Sequence, residues 1–346
     1  MRPQVSVVMP LYNAAEQLRA AVDSVLRQTL PDWELVCVDD GSSDDTPRML
    51  AEYAARDPRV RVVTSGRRGI VAALNRGCDE SCGEFIARLD GDDIALPQRF
   101  ARQREYLQTH SSLAMVAGGY ETIDPAGRPW KTQLSPQSPE AMAAALQRSN
   151  CIAHSSVMFR REVIRKFQGP YREHFPLAED YDLWLRMIGS ERIGSVPEVV
   201  IQYRRNLAAT DPQRAIQQTL STLSARLAHR QRIRGETESV LAAGPLTRHS
   251  LTRHSLIEHG LREGGLGEHA IDAAVRRVLL SEAKLSARHG HRDTSRRLLR
   301  AAAEYRPRGE GFKVWLDYSM RHLQVRLANR RGRRDFPETP SSAKAA

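Results

Sequence analysis

The chain has 346 residues, 41% of them hydrophobic and 27% charged, which is the balance of a globular protein long enough for one large core and a second module. No apolar run reaches the roughly 18 to 20 residues of a membrane span, and Val5–Met9 is cut short by Pro10, so a secretory leader is not expected and a cytoplasmic location is. The net charge of +11 is lopsided, with 23 Lys+Arg against 25 Asp+Glu in residues 1–190 and 29 against 16 in the remainder; one half is free for chemistry and the other suits an anionic neighbour.

Val5-Ser-Val-Val-Met9 predicts a central strand, and Pro10-Leu-Tyr-Asn13 the loop that leaves it. Leu18, Ala21, Val22, Val25 and Leu26 follow at helical spacing. Trp33 to Val38 predicts a second strand that ends in Asp39-Asp40-Gly41-Ser42-Ser43, with a helix opening at Asp44-Asp45-Thr46-Pro47. Val60 to Thr64 is a third strand, Gly69 to Arg76 leads a third helix, and Phe85 to Leu89 is a fourth strand. Strands alternating with helices of this length predict an α/β fold with a parallel sheet covered on both faces. The first loop has no glycine, which argues against a dinucleotide-binding G-x-G-x-x-G turn. The four cysteines are scattered, with no paired spacing that would make a zinc site or a disulfide framework.

The fourth strand stops in Asp90, Gly91, Asp92 and Asp93. Three like charges this close repel, and a hard divalent cation with oxygen ligands, Mg²⁺ or Mn²⁺, relieves the repulsion best. A solvated turn capping the helix after Pro97 is the alternative reading. Further on, the pattern predicts a helix from Gln98 to His110, a strand near Met115, a hairpin at Asp124–Gly127, a helix near Met142 and a strand over Ser156–Phe159. In Ala178-Glu-Asp-Tyr-Asp-Leu-Trp-Leu-Arg186, Tyr181, Leu185 and Ile188 share a helix face, which places Glu179 and Asp180 at the helix N-terminus.

Val5–Asn13, Val38–Thr46, Leu89–Asp93 and Glu179–Leu185, in that order, resemble family 2 glycosyltransferases of the GT-A fold over roughly the first 205 residues. The resemblance implies an α/β, Rossmann-like, mostly parallel nucleotide-diphospho-sugar transferase domain over residues 1–210. It places Pro10, Tyr12 and Asp40 around the nucleotide. A tyrosine face can stack on a base and a strand-end carboxylate can accept its N–H. It makes Asp90 and Asp92 the metal motif for Mn²⁺ or Mg²⁺, with Asp92 on the ion and Asp90 on ribose or metal-bound water. It makes Asp180 the catalytic base, with neighbouring Asp182 as the other candidate acid. His154 would lie near the donor sugar and metal, and Arg67 and Arg68 near the diphosphate. The implied reaction is inverting transfer of one sugar, with a UDP-sugar as the expected donor, to a hydroxyl of a glycan or lipid-linked acceptor in surface polysaccharide synthesis. Gln202-Tyr-Arg-Arg-Asn206 lacks the tryptophan of processive Q-x-x-R-W synthases, which points to single addition. A catalytically silent nucleotide-sugar or glycan-binding scaffold is the alternative.

Residues 211–330 predict an all-α basic domain and 331–346 a disordered tail. Three amphipathic stripes (Ile271–Leu279, Leu298–Tyr305, Phe312–Leu327) look like helical hairpins of tetratricopeptide type without the full repeat signature. Leu246–Ser250 is duplicated as Leu251–Ser255, and a five-residue step turns a helix by about 500°, so its histidines do not share a face. Lys313–Arg334 carries arginines and an apolar stripe suited to peripheral contact with an anionic membrane on its inner face. Nucleic acid is not an expected partner, because no recognised binding motif accompanies the charge.

Overall fold

The computed structural model describes residues 2–242 and 268–305. Strands β1 (Val5–Leu11) and β2 (Trp33–Asp39) are buried at every position, which is why they read as unbroken apolar runs instead of alternating ones. Helix α1 (Ala15–Leu26) turns Leu18, Ala21, Val22 and Val25 inward. Helix α2 (Thr46–Arg56), strand β3 (Val60–Thr64), helix α3 (Ile70–Glu80) and strand β4 (Phe85–Arg88) follow. Strands β3, β2, β1 and β4 lie side by side, all parallel. The chain moves outward from β1 to β3 and then returns to the other side of β1. The carboxyl ends of β1 and β4 therefore flank the point where strand order reverses, where open α/β sheets form their ligand crevice.

The sheet continues with β8 (Met158–Arg160), β6 (Leu113–Ile123), β9 (Arg192–Arg204) and the two-residue β5 (Ile94–Ala95). β8 is antiparallel to β4 and to β6, whereas β6 and β9 run parallel. β7 (Pro129–Gln133) closes the expected hairpin on β6. Helices α4 (Arg99–Thr109), α5 (Pro139–Arg148), α6 (Arg161–Lys166) and α7 (Glu179–Met187) complete this part. Ser156 belongs to a 3₁₀ turn over His154–Ser156 that precedes β8, not to the strand. β9 was not expected from the sequence, because its register jumps from Ala117 opposite Ser195 to Gly119 opposite Val199. The bulge around Pro197 breaks the alternation that would mark a strand.

Helices α8 (Pro212–Ile233), α9 (Ser239–Ala242), α10 (Glu268–Arg288) and α11 (Arg292–Glu304) follow. Gly290, at φ +84°, lets the chain reverse between α10 and α11 where a side chain would be strained. Leu220, Leu227, Val275 and Leu279 share one continuous core with Tyr181, Leu183 and Trp184 of α7. The helices thus bury their apolar stripes against the α7 side of the sheet, and each fully buried leucine contributes about 1.5–3 kcal/mol. On the opposite face Val5, Val7, Met9, Leu18 and Val22 form the second core. The duplicated Leu246–Ser255, the stripe over Phe312–Leu327 and residues 331–346 lie outside the described residues. Among the described residues no helix is long and apolar enough to cross a membrane.

Candidate active site

Two loops at the ends of β1 and β2 are laced together. Asn13 accepts from the Ser43 backbone N–H (2.8 Å) and donates its own N–H to Ser42 Oγ (2.9 Å). Asp39, buried, takes the Ser42 hydroxyl at 2.5 Å. Asp40 reaches the next loop: Oδ1 accepts from Ser65 Oγ (2.6 Å) and Arg68 N–H (2.8 Å), and Oδ2 from Gly69 N–H (2.8 Å). Its carboxylate therefore caps the entry to α3, which leaves part of its acceptor capacity for a ligand N–H. Tyr12 is 50% exposed and takes a bond from Arg67 Nη2 at 3.0 Å. Pro10 lies in β1 and is buried. An exposed aromatic beside a buried carboxylate is a workable seat for a nucleobase.

The acid loop is tied down from beneath. Arg88, at the end of β4 and only 4% exposed, sends both terminal nitrogens to the Asp90 carboxylate. Nη1 also donates to Ser155 Oγ (2.7 Å), which accepts the Asp90 backbone N–H (3.0 Å). Burial alone would weaken the Arg88 charge, but the pairing with Asp90 more than offsets it, so the guanidinium stays protonated. Asp93 is fully buried; its Oδ1 accepts the Arg204 backbone N–H at 2.8 Å, and its Oδ2 has no hydrogen-bond partner. Burial, then repulsion from Asp90 and Asp92, raises Asp93 well above the carboxylate range. Asp92 lies at the solvent edge, yet loss of hydration around its carboxyl and repulsion from Asp90 push it up to about 6. Ligand atoms of Asp90, Asp92 and Asp93 fall within 4.8 Å of one another. An all-oxygen set with an unpartnered buried oxygen fits Mg²⁺ or Mn²⁺.

Helix α7 brings the fourth motif to the same place. Burial is the largest influence on Glu179, pushed up to about 7, and on Asp180, also raised; both feel the charges of Arg88 and Asp90. The acid loop and the α7 N-terminus therefore share one electrostatic site. Asp180 takes Asn150 Nδ2 (3.0 Å) and the Tyr181 N–H (2.6 Å). Asp182, one turn on, is fully buried and faces away, held by Arg172 Nε (2.8 Å) and Arg186 Nε (3.0 Å). Arg172 in turn pairs with Glu238 (3.0 Å) beside α9. Packing thus gives the two aspartates different partners. His154 Nε2 meets the Tyr171 hydroxyl at 2.9 Å, and its ring meets Trp184 edge-on at 5.7 Å. Burial, with a smaller effect of Arg88, lowers its pKa well below the usual value, so the imidazole is neutral at pH 7.

Asp90 and Asp92 lie together in the acid loop, Asp180 feels the charge of Asp90 from the end of α7, and Tyr12 and Asp40 lie on the loops that follow β1 and β2. Arg67 engages Tyr12, and Arg68 contributes its backbone to Asp40. Sequence reasoning passed over Arg88, Ser155, Asn150 and Arg204. Arg88 carried a signal, a cation in an otherwise apolar strand; Ser155 and Asn150 carried none.

A Rossmann-like sheet with two laced loops at its switch point, an acidic loop after β4 and acids at the start of α7 are the features of a glycosyltransferase of the GT-A fold. Residues 6–167 match the model of glycosyl transferase family 2. The chain is 34% identical over 188 residues to the putative glycosyltransferase EpsE of Bacillus subtilis, covering 53% of this chain and 66% of that one. It is 32% identical over 204 residues to the O-antigen biosynthesis glycosyltransferase WbnJ of Escherichia coli (58% and 79%). It is 31% identical over 194 residues to the E. coli UDP-Glc:alpha-D-GlcNAc-diphosphoundecaprenol beta-1,3-glucosyltransferase WfgD (56% and 72%). The chain belongs to glycosyltransferase family 2. Its fold is similar to S. aureus TarS 1–349 (TM-score 0.52, 16% identity, 88% and 93% covered). It is also similar to the mannosyltransferase PcManGT of Pyrobaculum calidifontis in complex with GDP-Man and Mn2+ (TM-score 0.50, 19% identity, 88% and 87% covered).

Proposed function

We propose that this glycosyltransferase moves one sugar, with inversion and with a divalent cation, from a nucleotide diphosphate to a hydroxyl of a glycan or lipid-linked acceptor in surface polysaccharide synthesis. The observation that carries this reading is the cluster of Asp90, Asp92 and Asp93 at the end of β4, whose ligand atoms lie within 4.8 Å of one another. Relatives named for O-antigen synthesis and for a diphosphoundecaprenol acceptor support the acceptor class, and a UDP-sugar is the donor we favour.

Tyr12 and Asp40 hold the base, and Pro10 shapes the loop beneath it. Carboxylates of the acid loop would hold Mn²⁺ or Mg²⁺, which would supply charge neutralisation for the leaving diphosphate. Asp180 takes the proton of the acceptor hydroxyl as that oxygen attacks the anomeric carbon from the side opposite the leaving diphosphate. A single base is enough for direct displacement. Burial makes Asp180 a better proton acceptor by raising its pKa. Neutral His154 and Tyr171 wall the site without adding charge. The basic helical surface is proposed to bring the enzyme to an anionic membrane face, on the cytoplasmic side.

The test is a panel of UDP-, GDP- and dTDP-sugars with Mn²⁺, followed by nucleotide release. Turnover by the wild type and its loss in Asp180→Asn support transfer. Nucleotide binding without any release, across the panel and with glycan acceptors present, supports the scaffold instead.

A further inference from the structure

Resting on the transfer reading above, we propose that Glu238, in the helical half of the chain, is a positioning residue for Asp180. It holds Arg172, Arg172 holds Asp182, and that relay fixes the first turn of α7. The residue lies beyond position 167, where the family match ends. Asp180 has its own partners in Asn150 and the Tyr181 N–H, so Glu238 acts on it through the helix. Arg172 is the junction. Its Nε (2.8 Å) and Nη2 meet the Asp182 carboxylate in a fork, and its Nη1 pairs with Glu238 Oε2 at 3.0 Å. A planar guanidinium gripped this way is fixed in orientation as well as in place. Glu238 is braced from its own side. Its Oε1 accepts from Arg232 Nε (2.8 Å), and Gln231 Oε1 accepts the Ser239 N–H (3.0 Å), which ties the turn before α9 to the end of α8.

The approach to α7 needs such a hold. Leu177 stands at φ +67°, a left-handed conformation that a bulky side chain keeps only where the surroundings impose it. Two straps run back from α7 across this segment, Asp182 to Arg172 and Arg186 Nη2 to the Pro170 carbonyl. Tyr171 lies between their anchor points. Its hydroxyl meets His154 Nε2 at 2.9 Å, and its main chain bonds Asn75 at 2.9 and 3.0 Å. The straps therefore set both the entry to α7 and the tyrosine behind His154. Charge explains the part of Glu238. Burial and repulsion from Arg172 and Arg232 lower the Arg186 pKa, with Asp182 opposing them. Three guanidiniums are thus balanced by Asp182 and Glu238, and without Glu238 they would share one buried carboxylate. Arg172 would then be the one released, because Arg186 sits on the same helix as Asp182.

The experiment combines hydrogen exchange and kinetics on the full chain. Glu238→Ala should speed exchange of the α7 amides from Asp182 to Met187 by about ten-fold or more, a readout that needs no turnover. Well below its melting temperature it should lower kcat for nucleotide release by about ten- to a hundred-fold, the effect of a misplaced base, with the donor KM within about two-fold of wild type. Glu238→Gln keeps the shape and an acceptor oxygen, should fall between the two, and is the variant to read should Glu238→Ala not fold. The assignment is overturned if a folded variant exchanges in α7 like wild type, if α7 loosens while kcat stays at the wild-type value, or if KM rises as kcat falls, the mark of general damage. A wild type that releases no nucleotide overturns the transfer reading and this assignment with it, and is told apart because the unaltered chain itself is silent.

Discussion

Two aspartates two positions apart in α7 should fail in opposite ways. Asp182 is fully buried between Arg172 and Arg186, whose side chains are 17% and 13% exposed. Asparagine cannot satisfy both cations, and breaking a buried pair from one side costs about 3–5 kcal/mol. For a chain of this size that is a fall in melting temperature of about 4–7 °C. Asp180 has a raised pKa because burial disfavours its charge, so Asp180→Asn should leave stability equal to wild type or slightly higher. Loss of the base proposed at Asp180 should lower turnover by roughly 10²- to 10⁴-fold. Urea denaturation followed by tryptophan fluorescence measures the first effect, and nucleotide release from the donor measures the second. The reasoning is refuted if Asp182→Asn is as stable as wild type, or if Asp180→Asn is destabilised while it still turns over.

Glu179 gives a pH signature. Its pKa is pushed from 4.5 to about 7 in the folded chain, so the stability it contributes is present below about pH 4.5 and lost as pH rises through 7, on the order of 3 kcal/mol. Glu179→Gln should therefore be more stable than wild type at pH 8 and equal to it near pH 4, as read by denaturation at the two pH values. Tyr12 is half exposed, so Tyr12→Ala should leave the melting temperature unchanged while weakening UDP by about ten-fold, the lower end of one stacking contact; calorimetric titration decides. A Cβ at position 77 would lie 2.3 Å from Val8 Cγ1 and 3.3 Å from Val38 Cγ2, stiff side chains on the central strands. Gly77→Ala should cost about 1–3 kcal/mol by overpacking, and an unchanged urea midpoint would show that α3 can shift away from the sheet.

The linear sequence determined the strands of the first half, the four loops and the acids they carry, because each is a local pattern: an apolar run, a turn and a carboxylate at its end. β1, β2 and β4 are buried throughout and so announce themselves. β9 did not, because its pairing with β6 is made across nearly eighty positions and bends at Pro197. The partners of each acid were likewise decided only in three dimensions. Asp180 and Asp182 differ by two positions on one helix, yet one meets Asn150 near the acid loop and the other meets Arg172 and, through it, Glu238. Arg88 could be read as a residue but not as a partner, since the geometry that pairs it with Asp90 and Ser155 exists only once β4 lies beside β8. Local patterning sets which chemical groups the strand ends present; long-range packing sets which of them are neutralised, which are buried bare and which remain free to react.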